Sequence, residues 1–74
     1  MRLPEVSGNE VIKALCKAGF RVVRQRGSHV RLEKRTEDRM IKLTVPLHRS
    51  LKKGTLRRII EEAGLTVQEF NELL

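Results

Sequence analysis

Seventy-four residues carry 16 Lys and Arg against nine Asp and Glu, a formal net charge of +7, with one cysteine and two aromatic residues. A chain this short builds one small core worth about 3–5 kcal/mol, which leaves no room for a large buried substrate cavity. The lone Cys16 excludes an internal disulfide, no cysteine and histidine spacing suits zinc, and no apolar run approaches the roughly 18 residues that span a bilayer. The segment MRLPEVSGNE also lacks the apolar centre of a signal peptide, so the expectation is one domain over residues 1–74 of a soluble, cytoplasmic protein.

The first structural signal is Ser7-Gly-Asn-Glu10, a capping box that opens a helix at about 8–18. Val11, Ile12, Leu15, Cys16 and Ala18 recur at helical spacing, which assigns Cys16 to the buried stripe, and Gly19 ends the helix. The period then changes to two. Phe20, Val22, Val30 and Leu32 alternate with polar residues on either side of a turn, the pattern of a hairpin. A three-residue loop Gln25-Arg26-Gly27, with Gly27 at positive φ, pairs Val22 with Val30 and Phe20 with Leu32. It is preferred to a two-residue Arg26-Gly27 loop, which mixes Arg21 into the core side. On that register His29 points away from the core, beside Arg21, Val23 and Arg31.

Thr36-Glu-Asp-Arg39 makes the next turn, and Ile41, Leu43 and Val45 define a third strand that Pro46 ends. A basic connection follows. From Gly54 or Thr55, Leu56, Ile59, Ile60 and Ala63 mark a second helix, and Thr66-Val-Gln-Glu69 is a capping box for a short third one containing Phe70. The expected fold is α+β, ordered α-β-β-β-α-α, with a three-stranded antiparallel sheet and the helices on one of its faces.

Charge separates along the chain. Residues 1–60 hold all 16 cations against five acids, a balance of +11, and residues 61–74 hold −4. Such a field attracts polyanions, and counterion release on phosphate neutralisation favours nucleic acid over a merely solvated surface. The two aromatics, Phe20 and Phe70, fall at core positions, so base stacking on rings is not expected and binding should be backbone-dominated and salt-sensitive. The cations available for phosphate are Arg21, Arg24, Arg26, Arg31 and Lys42 near the sheet, and Lys52 and Lys53 before the second helix.

Catalytic residue types are few. Glu61-Glu62 and Glu37-Asp38 are sequence neighbours that do not converge, so a two-carboxylate site is not indicated. His29 stands in the stretch RQRGSH, amid cations, and an imidazole is the side chain suited to accept a proton near neutral pH. In RNA cleavage such a base takes the proton of a ribose 2′-hydroxyl, which attacks the adjacent phosphorus while Arg or Lys stabilise the phosphoryl oxygens, with no metal required. Position alone leaves the alternative of an ordinary exposed strand histidine. His48, in PLHRSLKKG, could contact phosphate, cap a helix or pack on the sheet.

The blocks VIKALCKAGFRVVRQRGSHVRL and LTVPLHRSLKKGTLRRIIEEAGLTVQEFNELL resemble the HicA toxins, the YcfA-like mRNA interferases, over nearly the whole chain. The resemblance implies a fold like the double-stranded-RNA-binding domain and a ribosome-independent endoribonuclease acting on mRNA without a cofactor. It implies His29 as the catalytic residue, Gly27 and Ser28 in the turn before it, and Arg24 and Arg26 among the basic residues around it. It further implies a HicB-like antitoxin as protein partner. A non-catalytic RNA-binding module would use the same fold and charge.

Overall fold

The computed structural model describes residues 2–74. Its elements are α1 (Gly8–Lys17), β1 (Arg21–Arg26), β2 (His29–Arg35), β3 (Met40–Pro46), α2 (Lys53–Glu62) and α3 (Val67–Leu73). The strands form one antiparallel sheet in the order β1-β2-β3, so the α+β arrangement and its element order are those expected.

Both capping boxes form. Ser7 Oγ accepts from the Glu10 N–H at 3.1 Å and the Glu10 carboxylate accepts from the Ser7 N–H at 2.9 Å. Thr66 and Glu69 repeat the arrangement at 3.0 and 2.8 Å ahead of α3. Each satisfies donors that a helix start would otherwise leave open, worth about 1 kcal/mol. α2 begins at Lys53, ahead of the expected Gly54 or Thr55, with Lys52 at the N-cap position.

α1 and α2 bury their apolar stripes against the sheet, and α3 packs against both of these helices to close the same core. α1 contributes Val11, Ala14 and Leu15, α2 contributes Leu56, Ile59 and Ile60, and α3 contributes Phe70. Cys16 is exposed, contrary to its assignment to the stripe. At about 100° per residue, Leu15 already completes the face begun by Val11 and Ala14, and the next position turns away from it. The sheet supplies Val30 and Leu32 from β2 and Ile41, Leu43 and Val45 from β3.

Three further core residues come from irregular chain. Leu3, Val6 and Leu51 are buried, and the two segments carrying them run side by side, with the Leu51 N–H donating to the Val6 carbonyl at 2.9 Å. Lys53 Nζ donates to the Leu3 carbonyl at 2.9 Å, and the Gly8 N–H donates to the His48 carbonyl at 2.9 Å. Gly8 is buried with its Cα against the Pro46 carbonyl, where a Cβ would overlap the oxygen. Gly54 has open space at the same position.

Gly8→Ala should therefore unfold at lower urea than the parent, because the start of α1 must move off β3. Gly54→Ala should raise stability by about 0.4–1 kcal/mol through the unfolded chain. Urea unfolding of both variants by circular dichroism checks the pair, and equal midpoints would refute the close-approach argument.

Candidate functional site

The β1–β2 hairpin turns over two residues, Gly27-Ser28, with Arg26 paired to His29, Gln25 to Val30 and Arg24 to Arg31. Gly27 has the expected positive φ, at 58°. The expected three-residue loop is corrected, and so is the pairing of Val22, which lies opposite Leu32. A bulge between Val22 and Arg24 reconciles the tight turn with the core. Without it, the turn's register would set Phe20 on the outer face. The extra residue, Val23, reverses the parity, so Phe20 is buried while Arg24 and Arg26 turn outward.

Two hydrogen bonds hold the tip. Gln25 Nε2 donates to the Gly27 carbonyl at 3.0 Å, and the Leu47 N–H donates to the Ser28 carbonyl at 2.7 Å, tying the turn to the exit of β3. Every residue of β1 is exposed, including Val22 at 48% and Val23 at 39%. The core position expected for Val22 is corrected: it has the core-side face, opposite Leu32, yet on the edge strand it stays largely exposed.

The outer face of the sheet is organised in cross-strand rows. His29 lies between Arg26 and Pro46, Arg31 between Arg24 and Thr44, and Glu33 between Arg21 and Lys42. Arg24, Arg26, His29, Arg31 and Thr44 line one shallow cleft of about 160 Å³. Three guanidinium groups, an imidazole and a hydroxyl thus meet in one open depression, the donor set that suits a phosphodiester.

Not every expected residue reaches it. Arg21 does not sit beside His29: the two-residue turn slides β1 along β2, the bulge leaves Arg21 in the row opposite Glu33, and both line a second groove with Lys34 and Arg35. Lys42 shares the outer face but lies in that same row. Lys52 and Lys53 belong to the helical layer, and Lys53 lines a groove with Arg2, Leu3, Glu5 and Arg57. Gly27 and Ser28 shape the tip above the cleft. His48 is exposed and is engaged through its carbonyl. Thr44 is the lining residue that sequence reasoning missed; the alternation of β3 puts it outward, yet only the β2–β3 register sets it against Arg31.

Among the described residues no three His, Cys, Asp or Glu side chains gather as metal ligands would, and no helix is long and apolar enough to cross a membrane.

A protein-family model described as the HicA toxin of bacterial toxin-antitoxin matches residues 8–65. The chain belongs to the HicA toxin family. It is thus the toxin of a toxin–antitoxin pair. A search of curated proteins gives no match. The HicA match runs from the first residue of α1 through the sheet and α2, so the whole cleft around His29 falls inside it, while Leu3, Val6 and α3 lie outside.

The hairpin that presents the HicA cleft depends on the left-handed backbone at Gly27, where no neighbouring atom would obstruct a side chain. Gly27→Asn should be tolerated better than Gly27→Val, which costs about 1–2 kcal/mol or more because β-branched residues avoid positive φ. Thermal unfolding of both ranks them, and equal losses would point to a contact rather than to backbone strain.

Proposed function

We propose that this HicA chain, acting as one unit over residues 1–74, is a metal-independent and ribosome-independent endoribonuclease of mRNA in which His29 moves the proton. The observation that carries this reading is the gathering of His29 with Arg24, Arg26 and Arg31 in one exposed cleft. An imidazole both accepts and returns a proton near neutral pH. His29 takes the proton from a ribose 2′-hydroxyl, the oxygen attacks the adjacent phosphorus, and the 5′-oxygen of the next nucleotide leaves and is protonated. The products are a 2′,3′-cyclic phosphate and a free 5′-hydroxyl. Arg24, Arg26 and Arg31 hold the non-bridging oxygens and stabilise the charge that builds on them in the transition state.

Binding follows from the same face. Phe20 and Phe70 are buried, so neither ring is presented for base stacking, and the strand is held through phosphates by the cleft arginines and further along by Arg21 and Lys42. A HicB-like antitoxin neutralises the toxin by covering this cationic face, and the site of action is the cytoplasm, where mRNA is translated. Cleavage there slows translation and growth.

The test is wild type and His29→Ala incubated with a long single-stranded RNA in EDTA. Fragments ending in cyclic or 3′-phosphate should appear with wild type, with the rate in the variant lower by at least about 100-fold and RNA binding retained. Intact RNA with both proteins, alongside measurable binding, would make the chain an RNA-binding module instead. In the His29→Ala background, Arg31→Ala should reduce the slope of log K against log salt by about 0.7, the loss of one phosphate contact to a single strand. An unchanged slope would remove Arg31 from the phosphate track.

A further inference from the structure

Glu33 is the one acidic side chain on the outer face of the sheet. The strands place it between Arg21 and Lys42, two cations that would each make a favourable cross-strand partner. Neither closes an ion pair with it: among the described residues the one ion pair within 4 Å is Arg58–Glu62, at 3.3 Å on α2. Glu33 is nonetheless half-buried, while Arg31 and Arg35 on either side of it along β2 are exposed. The residue is therefore partly enclosed, and its carboxylate closes no ion pair.

It stands between two grooves, one lined by Arg21, Lys34 and Arg35 and the other, toward His29, by Val23, Arg24 and Arg31. Arg24 and Arg31 also line the His29 cleft, so the groove toward His29 is continuous with the cleft through that pair. Val23, the bulge residue, adds an exposed apolar wall. A phosphate held by Arg24 and Arg31 therefore has beside it a small pocket with an apolar side, a guanidinium plane and an acceptor. Those three features fit a nucleobase.

We propose that Glu33 is a specificity-determining residue that reads guanine in a nucleotide flanking the cut. This rests on the endoribonuclease reading given above. A carboxylate only accepts hydrogen bonds and offers two oxygens side by side. In an unpaired strand, guanine alone presents two adjacent donors, N1–H and the N2 amine. Adenine and cytosine set an amine beside a ring-nitrogen acceptor, and uracil sets its N–H between two carbonyls. The carboxylate thus pairs in bidentate fashion with guanine and repels the neighbouring acceptor of every other base. It also opposes the phosphates of any RNA, so it favours binding only where a donor edge meets it. Four residues of β2, at about 3.3 Å each, separate Glu33 from His29 by about 13 Å, so the base it reads is not that of the nucleotide whose 2′-hydroxyl reacts.

The experiment begins with mapping wild-type cuts on a long RNA, where guanine should be enriched at a fixed offset from the cleaved bond. A short RNA containing one such site is then compared with its counterpart carrying inosine, which lacks the N2 amine, at that offset. Wild type should prefer guanine over inosine by about tenfold in kcat/KM, and Glu33→Gln should bring the ratio close to one. No guanine enrichment, a wild-type ratio of one, or a ratio unchanged by Glu33→Gln would each overturn the assignment while leaving the nuclease standing. The inosine comparison uses wild-type protein, so it is independent of how the variant folds. Failure of wild type to cut any RNA is a different result, and it removes the nuclease reading and the guanine assignment together.

Discussion

The extra residue at Val23 is the constraint on which the arrangement of the outer face depends. A two-residue turn at Gly27-Ser28 and a buried Phe20 demand opposite parities of β1, and only a one-residue insertion between them satisfies both. The consequence reaches the cleft directly. With the bulge, Arg24 and Arg26 share a face with His29 while Phe20 stays buried; without it, either the aromatic anchor at the base of the strand or the outward facing of Arg24 and Arg26 would be lost. Bulges commonly re-aim side chains next to functional sites, and this one also supplies an apolar wall beside the cleft.

The outer face carries its own cost. Arg24 lies directly opposite Arg31, and like charges in that position destabilise a sheet by about 0.2–1 kcal/mol. The inner face offsets it: Val30, Leu32, Ile41, Leu43 and Val45 are buried in one core with the apolar residues of the helices. An anion seated among the arginines relieves the repulsion, so polyanion binding and fold stability are linked, each favouring the other. The acidic end of the chain, from Glu61 onward, lies on α2 and α3 and leaves the cationic field of the sheet undiluted.

Local chemistry was the legible part of this molecule. Both capping boxes, the helix positions, the alternation of β2 and β3 and the positive φ of Gly27 follow from short-range rules, and they suffice for the element order. The outward direction of His29 was also readable, because the face of β2 is fixed by Val30 and Leu32 whatever β1 does. Arg31, two residues along the same strand, was readable for the same reason, but the neighbours of His29 on β1 were not. A bulge made with valine leaves no glycine to mark it, and it answers a demand between residues as distant as Phe20 and Ser28, so periodicity placed Arg21 there and only the family resemblance pointed to Arg24 and Arg26. Leu3, Val6 and Leu51 were missed for a related reason: they enter the core from chain without a period. Cys16 was misassigned because a helix stripe is narrower than a list of apolar residues suggests.

The sheet's two faces are independent in what they contribute. The cleft side chains, His29 and its three arginines, are exposed and add nothing to the core, while the core residues on the same strands never reach the cleft. On the endoribonuclease reading proposed above, this separation has an evolutionary consequence. With His29 and the arginines in the roles proposed for them, a single change at the cleft disarms the protein while leaving it folded, so loss of toxicity need not begin with loss of the protein. Lineages can pass through harmless, well-folded forms and regain activity by one reversion, a path closed to enzymes whose active sites double as their cores.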